Sequence, residues 1–308
     1  MTLPPGFTIR PIDPANDLAA VLALVEACDR EDVGEPDLPE SWIVQTWKSE
    51  LLRGAWLVHD GEGGPAAYIE LESRDTSKSF DAFLPIHPRH RDGPLLPALF
   101  DLLRERAAGV DTGSNVPLWL SVSSGDAGFA RDALAAGFRH VRAFQHMERE
   151  VDPTYVPGDP PLGVTIRSAL DPDDDRIIHE LLEETFRGHF GIEPTTFELF
   201  QTEFKDEMYD ASLVLIAEVD GRPVGVAANW MPDDLGWVGD LGVLSGHRGR
   251  GIGAALLRAS FAALAARGVT KVRLNVDSEN ETGATRLYSS VGMTVRRSFD
   301  IYEARLGG

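Results

Sequence analysis

His247-Arg-Gly-Arg-Gly-Ile-Gly253 decides how this chain is read. It follows an apolar segment of strand character at 237–243. It precedes a segment at 251–267 in which Leu257, Phe261 and Leu264 fall on one helical face. Gly268 stands where that helix needs a C-cap. In this setting Gly249, Gly251 and Gly253 free the backbone to turn its N–H groups toward one point. The helix that starts there aims its positive end at the same point. Arg248 and Arg250 add charge, and the whole is an anion site suited to a pyrophosphate. A tight strand-to-helix turn with no ligand is the competing reading of the loop alone. The loop lacks the Gly-Lys-Ser/Thr ending of nucleotide triphosphatases. It also lacks the first-strand G-x-G-x-x-G, with an acidic residue about 20 positions on, that a dinucleotide site requires.

The surrounding pattern gives a mixed α/β plan. A short strand is expected at 164–167 and a helix at 176–185, with Ile177, Ile178, Leu181 and Leu182 as its apolar stripe. A second helix is expected at 195–204. Strands at 213–219 and 223–228 are joined at Asp220-Gly221, a hairpin signal. Beyond the loop helix come a strand at 271–276, a helix at 282–290 and a final strand at 299–305.

The same plan occurs twice. Thr8-Ile-Arg10 and Thr165-Ile-Arg167 stand 157 positions apart, as do Arg91 and Arg248. Ala136-Gly-Phe138 and Val291-Gly-Met293 stand 155 apart, and the apolar runs at 55–59 and 212–217 keep the order. Such constant spacing implies duplication of one fold. Between the copies, Pro153, Pro157, Pro160 and Pro161 mark 151–163 as a linker. The expected domains are therefore 1–150 and 164–308.

The loop resembles the R-x-x-G-x-G/A signature of the GCN5-related N-acetyltransferase (GNAT) superfamily, with Arg248, Gly251 and Gly253 in register. The resemblance continues through 275–293, where Asn280 precedes a segment carrying Leu287-Tyr288 and ending in Gly292-Met293. It covers 164–306 well and the first half weakly. The tandem plan is similar to that of the mycothiol synthase group of double-GNAT proteins. It implies two GNAT folds, each a mixed, mainly antiparallel twisted sheet flanked by helices. It further implies acyl transfer from acetyl-CoA to an amine. In the family the loop holds the coenzyme A pyrophosphate, which assigns Arg248, Gly249, Arg250, Gly251, Ile252, Gly253 and Ala254 to that cofactor. Leu241 and Val243 match positions whose backbone bonds the pantetheine arm, and Asn280 fits a cap or a contact to the same arm.

Acyl transfer to an amine needs a base near the amine and an acid near the departing sulfur. Tyr288 matches the family's acid, and its alternative reading is a packing aromatic. Asp240 is the acidic residue of the 237–243 strand, while Trp237 stands where a Glu is common. Simple alternation puts Asp240 on the face opposite Val243 unless a bulge resets the register. A satisfied polar residue is an even alternative for Asp240. His189 and Phe190, in Arg187-Gly-His-Phe-Gly191, resemble a patch bordering the family's acceptor pocket, or form a packed turn. The first half departs from the pattern: Pro94 interrupts its loop, and Ala133 stands where Tyr288 stands in the second. It reads as a degenerate copy.

The totals agree. The chain has 308 residues and a formal net charge of -20, which disfavours nucleic acid and anionic membranes as partners. Cys28 is the single cysteine, so neither an intrachain disulfide nor a thiolate metal cluster is available. No metal is expected. The N-terminus has no signal-peptide pattern and no apolar run reaches the roughly 20 residues of a bilayer span, so a cytoplasmic location is expected. The expected function is acetyl transfer to a small-molecule amine in the second half. The rival readings are a silent acyl-CoA-binding protein and a peptide N-acetyltransferase. No motif sets the acceptor's identity or the oligomeric state.

Overall fold

The computed structural model describes residues 3–74, 79–110, 115–205, 208–279 and 283–307. It is a mixed α/β structure that divides into two compact units. Unit 1 comprises Met1–Gln145, Asp277–Glu279 and Arg297–Gly308, and unit 2 comprises His146–Val276 and Asn280–Arg296.

In chain order, unit 1 carries β1 (Thr8–Pro11), α1 (Leu18–Val33), α2 (Glu40–Lys48), β2 (Leu52–His59), β3 (Pro65–Arg74), β4 (Ser79–Phe83), α3 (Leu95–Ala108), β5 (Val116–Ser123), α4 (Ala127–Ala135) and most of β6 (Arg139–Glu150). Unit 2 carries β7 (Val164–Ser168), α5 (Asp174–Thr185), α6 (Phe197–Glu203), β8 (Val214–Val219), β9 (Arg222–Trp230), β10 (Gly236–Val243), α7 (Ile252–Ala265), β11 (Lys271–Asp277) and α8 (Ala284–Ser290). The last strand, β12 (Thr294–Leu306), begins in unit 2 and from Arg297 onward belongs to unit 1. There Phe299–Leu306 pair antiparallel with β5. The strand order is β1-β2-β3-β4-β5-β12 in unit 1 and β6-β11-β10-β9-β8-β7 in unit 2, where β6 contributes its His146–Glu150 end.

Local chemistry explains these elements. The β8–β9 hairpin turns on Asp220 (φ 51°) and Gly221 (φ 73°), so both turn residues adopt the left-handed backbone that an Asp-Gly turn supplies. Each unit opens with the same ion pair, a buried carboxylate held by a partly exposed arginine. Arg10 grips Asp17 at 2.5 and 2.7 Å, and Arg167 grips Asp174 at 2.7 Å through both terminal nitrogens. These pairs tie the first strand of each unit to the start of its first helix and hold both carboxyls below the usual range.

Helices cover both faces of the unit 2 sheet. Leu257, Phe261 and Leu264 of α7 pack with Val238, Val272 and Leu274 on one face. Ile178 and Leu181 of α5 and Phe200 of α6 pack with Val214, Ile216, Val226 and Ala228 on the other. Gly242 permits the close seating of α5, because a Cβ there would lie 2.1 Å from Thr185 Oγ1.

The core of unit 1 includes a polar chain. Trp47 Nε1 donates to the Tyr68 hydroxyl at 2.7 Å, and that hydroxyl donates to Glu70 Oε2 at 2.5 Å. Burial pushes the Glu70 carboxyl up to about 7. Its folded value lies above the ordinary value of about 4.3, so the folded state holds this proton over that interval. Stability therefore falls as pH rises from about 4 through about 7, by at most about 4 kcal/mol. Glu70→Gln keeps an acceptor for Tyr68 and cannot ionise. Denaturant unfolding at pH 5 and pH 8 should show a smaller loss of stability in the variant than in the wild type.

Candidate active site

The site is built where two neighbouring strands part. β10 and β11 pair in parallel at Gly236↔Val272 and Trp237↔Arg273, and their pairing ends there. β10 continues along β9 to Val243. Leu244 N–H donates to Val224 O at 2.9 Å, which sets the alternation. The backbone groups of Asp240 and Gly242 turn to β9, and those of Leu241 and Val243 turn to the opened edge. Arg248 Nε donates to the Val243 carbonyl at 2.9 Å. The Leu241 groups and the Val243 N–H remain on that edge.

The register of β10 shifts between Val238 and Asp240, and Gly239 is the extra residue. Asp240 follows this bulge and pairs with Ala228, so it shares the face covered by α5 and α6. The bulge precedes Asp240, so Asp240 stays on the face opposite Leu241 and Val243. Asp240 is half-buried as a residue, but protein surrounds its carboxyl and desolvation pushes it up to about 6. Tyr288 of α8 is buried, 8% exposed. Its phenol is pushed up to about 12, first by burial and then by the negative charge of Asp240. The Asp240 charge thus reaches the Tyr288 phenol. One is a carboxylate of near-neutral affinity for protons, and the other a phenol that keeps its proton.

The anion loop follows β10. Gly249 and Gly251 have φ of 73° and 78°, a conformation that favours glycine. Ala255 is the first residue of α7 seen to donate back along the chain, to Gly251 O at 3.0 Å. The amides from Gly249 to Ala254 have no intramolecular acceptor among the described residues. This cradle fits a diphosphate. Arg248 and Arg250 are exposed beside it, and Arg250 Nη1 meets His247 Nδ1 at 3.2 Å. Ile252 and Gly253 act through the backbone. The Ile252 side chain is 1% exposed in the core with Val164, Leu215 and Leu256. A Cβ on Gly253 would meet Leu287 Cδ2 at 3.0 Å, so Gly253 seats α7 against α8. Ala254 is partly buried against the same core as Tyr288. The linker also reaches the loop: Pro161 Cγ lies 3.3 Å from where a Gly251 Cβ would be. Nothing in the sequence signals that contact.

His189 and Phe190 stand in the turn after α5 and are half-buried. The His189 ring meets Phe186 edge-on at 5.2 Å. The turn begins just past Thr185, the residue seated on Gly242. Asn280 lies outside the described residues. Among the described residues no cluster of three metal-ligating side chains occurs, and no helix is long and apolar enough to cross a membrane.

The equivalent place in unit 1 is built differently. Arg91 keeps its contact to the strand carbonyl, Nε to Ile86 O at 3.4 Å. Its terminal nitrogens, however, are held by the Asp32 carboxylate at 2.6 and 3.2 Å. Phe80 stands 157 positions before Trp237. There the β4–β5 pairing continues past Phe80 through Asp81 and Ala82, so the strands have not parted. Ala133 is fully buried where a tyrosine would be needed.

The profile of the family described as Acetyltransferase (GNAT) family matches residues 176–293. A mycothiol acetyltransferase of Kineococcus radiotolerans is 32% identical, over 98% of this chain and 97% of its own. One of Thermomonospora curvata is 30% identical over 90% of each chain. Among solved structures, a GCN5-related N-acetyltransferase from Sphaerobacter thermophilus superposes with a TM-score of 0.86 at 30% identity, covering 100% of this chain and 98% of that one. A tandem GNAT protein from the clavulanic acid biosynthesis pathway shares the fold, with a TM-score of 0.75 at 18% identity, over 98% of this chain and 99% of its own.

The two loop glycines should respond differently to substitution. Gly249→Ala meets open space and should cost only the left-handed backbone strain, about 1 kcal/mol. Gly251→Val adds the collision with Pro161 to that strain and should cost at least twice as much. Thermal unfolding of the two variants checks the order.

Proposed function

This chain belongs to the GNAT family of acetyltransferases, an acyltransferase by descent, and from that premise we propose that its second half, 164–308, acetylates a small-molecule amine from acetyl-CoA by direct attack. The observation that carries this reading is the edge of β10 opened past Trp237, which ends in the loop amides from Gly249 to Ala254, unsatisfied among the described residues. The relatives named mycothiol acetyltransferase support a small-molecule acceptor.

The residues present fit a coenzyme A thioester. The amides from Gly249 to Ala254, with Arg248 and Arg250, would hold its pyrophosphate. The free backbone groups of Leu241 and Val243 would bond its pantetheine arm as an added strand does. Acetyl-CoA supplies the thioester whose C–S bond is exchanged for the new amide C–N bond. Asp240, ionised above about pH 6, accepts the proton that the attacking nitrogen gives up. Tyr288 stays protonated to about 12 and donates its proton to the departing sulfur. Both groups are pushed up, which leaves a carboxylate that takes a proton near neutrality and a phenol that keeps its own. The His189–Phe190 turn, next to the seat of α5, forms part of the acceptor side.

Unit 1 supports the second half by lacking each part. Its arginine is neutralised by Asp32, its strands stay paired two residues further, to Ala82, and Ala133 stands in place of the tyrosine. The chain should therefore bind one equivalent of acetyl-CoA.

Three outcomes test the proposal. In a thiol-release assay over an amine panel, Tyr288→Phe should lower kcat at least tenfold, a typical contribution of a general acid, with acetyl-CoA affinity by calorimetry unchanged. The rate should rise with pH through about 6, because Asp240 must lose its proton to act as base, and Asp240→Asn should remove that limb. Tight acetyl-CoA binding without turnover of any amine would instead make the chain a binding protein.

A further inference from the structure

The approach to Asp240 is paved with indole. Trp230, at the end of β9, stands directly opposite Trp237 of β10, on the face covered by α5 and α6. Its six-membered ring lies over the bulge residue: a Cβ on Gly239 would fall 1.7 Å from Trp230 Cζ3 and within 2.7 Å of two further ring carbons. Gly239 immediately precedes Asp240, so the ring borders the carboxylate on one side. The parted strands and Tyr288 border it on the other. Phe204 fixes the ring edge-on at 5.7 Å, with an interplanar angle of 70°. Phe204 is stacked in turn on Phe200 at 4.6 Å. Trp230 is nevertheless half-exposed. A rigid, partly open indole beside a desolvated carboxylate recognises one chemical class well. An ammonium group is drawn to the ring face and to the carboxylate together, and an apolar body behind it covers the ring.

We propose that Trp230 is a specificity-determining residue for the acceptor, selecting a protonated primary amine carried on a body with an apolar face and delivering it to Asp240. This rests on the acetyl-transfer reading of the same site. Gly239 is then required in two ways: it forms the bulge that turns Asp240 to this face, and its missing side chain makes room for the indole.

Steady-state kinetics at saturating acetyl-CoA, with 2-phenylethylamine, D-glucosamine and ethanolamine as acceptors, tests the proposal. The first two carry an apolar face and ethanolamine does not. Trp230→Ala should raise KM roughly tenfold for the first two, the scale of a lost cation–π and stacking contact. It should raise KM for ethanolamine less, because only the ammonium contact is lost there, and change KM for acetyl-CoA by less than twofold. Trp230→Phe should keep most of the selectivity. Gly239→Ala keeps the tryptophan but displaces its ring, and should reproduce the Trp230→Ala pattern even if the latter variant folds poorly. Where no acceptor turns over, the same amines are titrated calorimetrically into the CoA-saturated protein, with the same order of affinities expected. Unchanged acceptor KM values in both variants, no preference over ethanolamine in the wild type, or no binding of any amine overturns the proposal. If Asp240→Asn and Tyr288→Phe impair turnover while the Trp230 and Gly239 variants do not, this inference alone fails. If Asp240→Asn and Tyr288→Phe are without effect, the underlying reading fails.

Discussion

Everything at the candidate site depends on β10 leaving β11 after Trp237. Backbone N–H and C=O groups inside a protein need partners, and a strand that abandons its neighbour creates a row without them. The fold keeps this row open by three contacts on β10 itself. The bulge at Gly239 changes the twist of the strand. Thr185 presses against Gly242 from α5. Arg248 ties the Val243 carbonyl to the loop that follows. The opened edge is thus a rigid slot whose unmet hydrogen bonds suit an extended polar arm, and the helix end at its mouth suits a diphosphate. Asp240 lies three positions past the last β10–β11 pair, and its charge reaches the Tyr288 phenol.

Much of this was legible in the sequence because it is written in local chemistry. Asp220-Gly221 announces its turn, the loop glycines announce positive φ, and the apolar spacing of α5 and α7 announces which faces are buried. The observed helices begin or end within about two residues of the spacing, the scale on which helix ends fray. The final strand extends further than its apolar run: β12 starts at Thr294, five residues before the expected 299. The extension is largely polar, and alternation alone does not mark it. The exchange of β12 into unit 1 is equally silent, because both copies carry the same strand pattern and only tertiary pairing decides which sheet receives it.

The site itself was half legible. Tyr288 and Asp240 could be named, but not that the charge of Asp240 reaches the Tyr288 phenol. The side occupied by Asp240 turned on whether a bulge fell before or after it. Trp230 on Gly239, Thr185 on Gly242 and Pro161 on Gly251 are contacts between residues far apart in sequence. A glycine tells the reader that space is needed but not what fills it.

The duplication supplies an internal control on which features serve stability and which serve chemistry. The pairs Arg10–Asp17 and Arg167–Asp174 have the same geometry in both units, as expected of contacts that tie a strand to a helix. Arg91 and Arg248 also share their contact to a strand carbonyl, so that contact belongs to the fold. The rest of the guanidinium differs. In unit 1 α1 runs to Val33 and carries Asp32 to Arg91, so the charge is spent within the protein. In unit 2 α5 stops at Thr185, and the position 157 after Asp32 is His189 in a turn. No carboxylate meets Arg248 there among the described ion pairs, and its guanidinium faces solvent at the loop. On the same backbone frame, then, the charge is neutralised in one copy and exposed in the other, and only the exposed one is available to an anion.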